Sequence, residues 1–594
     1  MTRFDRRTVA FALIGLALIA SAALLAYWGR GQTFGGDELQ YASRLSTQSL
    51  GHAMLYPPPG GYLIAVPMLV YKALLETAGL GAYAPHRAVA IALELTCAIL
   101  FFALARRRVG DLWAVPPTVL MLFFGFGSES ILTADRIPGS MALAAGLGAF
   151  LALARPTLRR DVIAALLLTL SVASHPVGIS FAAGATVLVL WRPSPGRWLS
   201  AWVFLLPSIL YADWWLFLRP ADPNPTQTRL SELAHFVGQS WAAVTAAISG
   251  LAGVLDGPAY HHALGWLAAA LLLALVAGGA AASWRRLTPQ FWAAAAALLT
   301  LWVTTGLTRN ALLIIFRPAD QPRYVYPAAF LMLLMLVELA GALRLPSRPA
   351  RAAAWAATGV LALGLAANVD QLNTAAAQNR RFVNPVRIAY GATEIASKTV
   401  RPDFYPLGFF YPNAGRYLAA VRAYGGLGYS AAELRTRSAR TRFAADKVLV
   451  KAERLKLGPD STGRPDGGKA PRAATALQGT ARTAGGCLGL QPTRHAGSFA
   501  PQGSIPPPPP SLAAAAPPAL AELTLPSGGV QIQAKRLGAV AVRIGRFASV
   551  PRVPLVMPRA GRFASLSIPA DGTTLPWKLI VYASEPVSVC GLRP

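Results

Sequence analysis

The chain has 594 residues, 54% of them hydrophobic and 14% charged, and its mean hydropathy of +0.43 excludes an ordinary soluble protein. Its 55 Lys and Arg against 26 Asp and Glu give a net charge of +29, which in a soluble chain would point to nucleic acid. Here many of the charges fall in short clusters between apolar runs, so no nucleic-acid partner is expected.

Apolar runs of about 17–22 residues recur as far as residue 368 and then stop, and runs of that length read as membrane helices. The first, Val9 to Trp28, follows Arg3, Arg6 and Arg7. The basic start is that of a signal peptide, but the apolar run is long for one, so it reads as an uncleaved anchor. Eleven spans are expected, at 8–28, 86–106, 112–128, 138–154, 161–174, 176–191, 198–218, 262–283, 290–307, 324–343 and 352–368. The clusters Arg106-Arg107-Arg108, Arg155/Arg159/Arg160, Arg192/Arg197, Arg285-Arg286 and Arg344/Arg348/Arg351 then all fall on the side of the N-terminus. The positive-inside rule makes that side the cytoplasm. The loops 29–85, 129–137, 219–261 and 308–323 lie outside, with everything after 368.

One further apolar run, Tyr62 to Leu80, contains Pro67. Counted as a span it would invert the parity and place Arg106-Arg107-Arg108 outside. Residues 58–80 are therefore expected to form a juxtamembrane or partly immersed helix on the outer side, kinked or interrupted at Pro67. The hairpin 161–191 turns at Ser174-His175-Pro176, and its arms are barely long enough to span.

Ionisable groups at membrane depth are costly and tend to be functional or paired. The topology gathers Asp37, Glu38, His52, Arg87, Glu129, Asp135, Arg136, His175, Arg317, Asp320, Arg323 and Tyr324 at the outer face. Carboxylates can act as a general base or bind a metal, and the guanidinium fork suits phosphate. The set points to a polar, phosphate-bearing lipid substrate. Each member also has a plainer reading. Asp37-Glu38 can cap the amphipathic run Leu39 to Leu50, Asp135-Arg136 can be a solvated pair, and Arg87 can snorkel at a helix end. His175 before Pro176 reads as a turn residue. Glu94, inside a span with Cys97 one turn on, reads as part of a packed polar network. Nucleotide hydrolysis, zinc chemistry and an acyl-transfer triad find no motif.

In order and sidedness these marks resemble the GT-C superfamily of polyprenyl-phosphate-sugar-dependent glycosyltransferases, in the branch of protein mannosyltransferases and aminoarabinose transferases. The resemblance covers roughly residues 1–345. It rests on the acidic pair Asp37-Glu38 in the first outer loop, Pro58 to Leu63 opening a juxtamembrane helix, and Arg87 at the start of a span ending Ala105 to Arg108. Thr133 to Pro138 in the second outer loop and Pro322 to Pro327 entering a late span complete it. His175-Pro176 stands where many relatives have a Lys-Gly-Pro-like turn, and the C-terminal part is unlike the best-known members. The resemblance implies an inverting sugar transfer from a polyprenyl-phosphate donor. Asp37 would be the base that takes the acceptor proton as attack proceeds, and Arg87 and Arg323 would hold the phosphate. Arg136 and Tyr324 belong to the same substrate-binding set. Glu38 and Asp135 would orient the acceptor or bind a divalent ion, and metal use stays open. A non-catalytic polyprenyl-linked glycan transporter or envelope assembly scaffold is the alternative. A transporter should carry charged or broken helices along a midplane path, and mid-span charges here are few: Glu94, Asp213 and Glu338.

From Asp370 onward there are 29 Lys and Arg against 11 Asp and Glu. Residues 369–457 read as an extracytoplasmic helical region, 458–520 as a Gly/Pro/Ala-rich linker carrying the run Pro506 to Pro510, and 521–594 as a small β-sandwich. Its alternating runs begin at Val530, Val540, Phe563 and Leu579. Cys487 and Cys590 are the cysteines outside the membrane, and an oxidising location makes a disulfide between them the expectation. The basic surroundings suit an anionic glycan or lipid headgroups. The fold class is thus an α-helical polytopic membrane protein with a C-terminal extracytoplasmic α+β region. The Ala/Arg/Pro/Gly-rich composition points to a GC-rich bacterial genome, and the expected location is the bacterial inner or plasma membrane.

Overall fold

A computed structural model describes residues 6–58, 61–193, 196–221, 230–308, 318–343, 347–459, 468–493, 518–548, 552–558, 561–571 and 573–593. Arg3, Pro59, Gly60, Arg317, Arg344 and the run Pro506 to Pro510 lie outside the described residues. The chain divides into two units, Met1–Phe34 with Thr47–Arg380, and Gly35–Ser46 with Arg381–Pro594.

The helices in chain order are α1 (Arg6–Trp28), α2 (Gly36–Thr47), α3 (Leu50–Leu55), α4 (Ala65–Ala78), α5 (Ala84–Val109), α6 (Val115–Leu122), α7 (Ser128–Leu132), α8 (Ile137–Leu153), α9 (Leu158–Val172) and α10 (Val177–Leu190). There follow α11 (Gly196–Leu199), α12 (Trp202–Asp213), α13 (Leu230–Ser249), α14 (Ala263–Ser283), α15 (Pro289–Leu307), α16 (Pro322–Ala342), α17 (Ser347–Ile395), α18 (Ala414–Tyr424), α19 (Ala431–Thr436) and α20 (Ala439–Ala452).

The first unit is a multi-pass membrane bundle. Among the described residues eight helices are long and apolar enough to cross a membrane, or nine if the bent pair Val115–Leu122 and Gly125–Leu132, turned by 44°, is one span. Many are apolar all round: Leu16, Ile19, Leu216, Phe217 and Leu271 point outward from the protein, as lipid-facing positions do. Eleven spans were expected. The difference lies in α9 and α10, of 15 and 14 residues, and in the break after Leu122, where Gly125-Phe126-Gly127 forms a single 3-10 turn.

Three further details depart from the sequence reading. Pro67 does not kink α4. It sits in the first turn, where its missing N–H would have had no helical partner. The loop 219–261 contains the 20-residue helix α13, whose polar positions hid it from a hydropathy reading. Trp241 Nε1 donates to Ala269 O at 2.9 Å and Asn368 Nδ2 to Ala247 O at 2.9 Å, so α13 lies against the start of α14 and the middle of α17. Finally, α17 continues well past residue 368 as one helix.

Charge is segregated between the ends of this bundle. Arg107 has Arg155 and Arg160 as charged neighbours. Arg108 donates to Arg286 O at 3.1 Å and pairs with Glu338 at 3.2 Å, and Arg192 pairs with Asp161 at 2.8 Å. The arginine clusters of separate loops therefore share one end of the bundle.

Among the described residues the second unit contains α2, α18 to α20 and eleven strands: β1 (Gly458–Pro459), β2 (Arg472–Ala476), β3 (Gly479–Ala484), β4 (Cys487–Pro492), β5 (Ala519–Thr524), β6 (Gly529–Ala534), β7 (Val540–Gly545), β8 (Val553–Leu555), β9 (Phe563–Ser567), β10 (Lys578–Ala583) and β11 (Val587–Gly591). They form two antiparallel sheets, ordered β1-β9-β6-β11-β4-β3 and β2-β5-β10-β7-β8. Leu520, Leu523, Ile532, Val542, Ile544, Leu566, Leu579 and Val589 fill the interior. Residues 472–492, expected to be linker, supply three of the strands. Their Gly, Ala and Thr positions show little alternation, so the period-2 signal was weak. Cys487 and Cys590 face each other across β4 and β11 and are joined by a disulfide, with Cα atoms 3.9 Å apart.

Helix α20 is fixed to the sandwich by buried polar groups. The carboxylate of Asp446 accepts from Phe547 N at 3.0 Å and Ala548 N at 2.9 Å. The buried Glu453 lies 3.9 Å from Arg546, which also pairs with Asp571 and covers the Trp577 ring at 4.5 Å.

Candidate functional site

The residues singled out from sequence fall in both units. In the first, the end of the bundle away from the arginine clusters is built around the loop 131–136, which joins α7 to α8. Tyr71 Oη donates to Ala134 O at 2.6 Å, Ala134 N donates to Tyr83 Oη at 3.0 Å, and Arg87 Nη1 donates to Ile131 O at 2.8 Å. α4 and α5 thus clamp the loop backbone. Arg87 is 5% exposed and one of its N–H groups serves this clamp, a role not foreseen when it was placed on the phosphate.

The clamped loop presents Asp135 and Arg136. Thr133 Oγ1 donates to Asp135, whose other oxygen lies 3.2 Å from Arg136 Nη2. Glu129, on the short helix α7, stands between two arginines: 3.0 Å from Arg323 Nε and 3.9 Å from Arg136 Nη2. Arg323 and Tyr324 occupy the first turn of the 21-residue helix α16, which opens with Pro322. That turn carries the positive end of the helix dipole, which favours an anion.

His175 completes the group from a third connection. Its Nδ1 accepts from Val177 N at 3.3 Å, and its ring meets Tyr62 edge-on at 4.7 Å. Burial, and then the charges of Arg136 and Arg323, push its pKa down to about 3, so it is neutral at physiological pH. The structure therefore brings together Glu129, Asp135, Arg136, His175 and Arg323. The sequence gives Glu129 a place on this face but no role, and His175 only that of a turn residue, which its bond from Val177 N fits. Their shared relation to both arginines is a property of folding, with no spacing signal in the chain.

The break in the third span shapes this end. A Cβ on Gly127 would stand 2.5 Å from the Tyr326 ring, so glycine lets α16 come close beside α7. One turn beyond Arg323, Tyr326 Oη donates to Glu94 on α5, whose other oxygen accepts from Ser140 Oγ of α8 at 2.5 Å. The polar network expected around Glu94 ties α5, α8 and α16 together directly below the arginines.

In the second unit, α2 carries Asp37 and Glu38 in its first turn. Their shared carboxylate character hides different positions. Glu38 is 2% exposed and its Oε2 accepts from Gly35 N at 2.6 Å. This is the N3-to-N-cap half of a capping box. Asp37 is half-buried. Among the described residues no group of three or more His, Cys, Asp or Glu side chains converges as a metal-ligand set would.

No family model matches the chain, and no curated protein matches it. Among solved structures it is similar to the crystal structure of ArnT from Cupriavidus metallidurans in the apo state, at 13% identity and a TM-score of 0.41, over 72% of this chain and 91% of that one. It is also similar to the cryo-EM structure of arabinosyltransferase EmbB from Mycobacterium smegmatis, at 12% identity and a TM-score of 0.27. That match takes in 98% of this chain, which spans 64% of the length of EmbB.

Proposed function

We propose that the protein is a bacterial membrane glycosyltransferase that moves a sugar from a polyprenyl-phosphate donor to an acceptor hydroxyl at the outer face of the membrane. The observation that carries this reading is the convergence of Arg136, Arg323 and neutral His175, from three separate connections, on the first turn of α16. The order of motifs noted in the sequence supports it.

In this reading Arg323 and Arg136 hold the donor phosphate, with Tyr324 beside them, and Glu129 and Asp135 keep the two guanidinium groups in place until phosphate displaces them. Arg87 sets the loop that carries Arg136. Asp37 is the general base. The acceptor oxygen attacks the anomeric carbon, the bond from that carbon to the phosphate oxygen breaks, and its electron pair leaves with the polyprenyl phosphate. The acceptor proton passes to Asp37, and attack from the face opposite the leaving group inverts the anomeric configuration. Glu38 holds the first turn of α2 and through it the orientation of Asp37. No step is routed through a metal.

The same proposal places the N-terminus in the cytoplasm and residues after 368 outside, with α9, α10 and the bent pair completing eleven spans. The test is sugar transfer in proteoliposomes from a radiolabelled polyprenyl-phosphate sugar. Arg323→Ala is expected to lower kcat/KM by about 10²–10³-fold, as loss of a charge-stabilising donor does. Donor consumption unchanged by that substitution rejects the phosphate assignment.

A further inference from the structure

In the second unit one short loop presents three open aromatic side chains: Tyr405 is 47% exposed, Phe409 70% and Phe410 52%. The loop backbone is fixed. Ala414 N donates to Phe404 O at 2.7 Å, Gly415 N to Pro402 O at 2.9 Å, and Tyr411 N to Gly408 O at 3.1 Å. Tyr390 Oη donates to Pro412 O at 3.1 Å, and Gly408 turns the chain at φ +98°, a conformation open to glycine. Phe409 and Phe410 are held with ring centroids 4.0 Å apart.

The loop abuts the turn that carries Asp37. A Cβ on Gly36 would stand 2.9 Å from Phe410 O and 3.8 Å from the Tyr411 ring. The backbone of the loop that bears the rings thus touches the residue just before Asp37. Leaving a phenylalanine in water forgoes the free energy of its burial, so a rigidly presented pair is made to be covered. Hydrocarbon would cover the rings but is a poor medium for the carboxylate on the adjoining turn. The charges nearest in sequence on the loop, Arg401 and Asp403, pair with each other, so the ledge is not built for an ion. A sugar ring suits both surfaces: its C–H face lies on the aromatics and its hydroxyls bond the carboxylate.

We propose that Tyr405, Phe409 and Phe410 seat a sugar ring of a saccharide acceptor and present its hydroxyl to Asp37. The proposal rests on the glycosyltransferase reading and deepens it, since it makes the acceptor a carbohydrate. The test uses the full chain in nanodiscs and short arabinan, galactan and mannan oligosaccharides. Saturation-transfer NMR is expected to show saturable binding of at least one. Phe409→Ala and Phe410→Ala are each expected to weaken it by about three- to tenfold, in line with the value of an aromatic contact, and to raise the acceptor KM. A Phe409→Trp variant in brominated-lipid nanodiscs reports the other occupant: an unquenched indole agrees with the proposal, and a quenched one overturns it. Binding of none of the three oligosaccharides, or binding indifferent to both alanine variants, also overturns it. Donor consumption by the wild type without any oligosaccharide is read separately, and its absence counts against the glycosyltransferase reading itself.

Discussion

Two adjacent carboxylates open α2, and their neighbourhoods divide the work. Glu38 is committed to the Gly35 amide and is buried, whereas Asp37 is half-buried. Glu38→Ala is expected to cost about 1 kcal/mol, as loss of a helix cap does, and to show as a lowered thermal midpoint. Asp37→Asn keeps size and polarity but cannot take a proton. It should lower transfer by about 10²–10⁴-fold, the contribution of a general base, with little change in donor KM, measured by initial rates in proteoliposomes. A preserved rate removes the base assignment. In the sequence Asp37 stands out by its place in the first outer loop and by the family resemblance, while the residues alone favour a helix cap. The capping role of Glu38 was legible only for the pair, since the split depends on which oxygen meets Gly35 N. Glu129 and His175 carried no such signal. Their meaning comes from folding, which brings Arg323 to both of them from far along the chain.

At the scale of elements, the apolar helices could be read directly from the chain because lipid demands uniform apolar runs. The breaks and short connections could not. Gly125-Phe126-Gly127 interrupts an otherwise continuous apolar run, and its purpose appears only when the Tyr326 ring is found against Gly127. Gly127→Ala forces that ring or the α7 backbone to move. Overpacking of this kind costs about 1–3 kcal/mol, so a lowered unfolding midpoint is expected, together with weaker donor binding because Arg323 is one turn from Tyr326. A variant as stable as the wild type would mean that α16 yields freely there. Strands 472–492 went unread for a similar reason: small residues pack between neighbours without announcing a face. The α20–sandwich contact gives a pH prediction. Burial, and then hydrogen bonding to Asp571, push Glu453 up to about 8 from its ordinary 4.5. The folded chain therefore holds a proton that the unfolded chain releases, and this contribution is complete below about pH 4.5 and lost as pH rises through 8. The wild-type unfolding midpoint should fall between pH 6 and pH 8.5 by more than that of Glu453→Gln, which stays neutral throughout. Equal falls in the two proteins would place the protonation elsewhere.

For the whole molecule, net charge and topology give opposite first impressions. The segment from Asp370 onward carries 29 Lys and Arg against 11 Asp and Glu, and a rule based on total charge would hold it in the cytoplasm. The positive-inside bias, however, acts through short loops near span ends, and long domains cross regardless of their charge. The short-loop arginines decide orientation, and they share one end of the bundle. The disulfide between Cys487 and Cys590 argues independently, because such bonds persist outside the reducing cytoplasm. The proposed orientation puts Arg159 inside and Arg482 outside. Arg159→Cys should react with a membrane-impermeant maleimide only after cells are permeabilised, while Arg482→Cys should react in intact cells. The buried Cys97 and the bonded pair leave a low background. Labelling of Arg159→Cys in intact cells would invert every loop at once. It would carry Arg136, His175 and Arg323 to the cytoplasmic face and remove the physical basis for an extracytoplasmic acceptor.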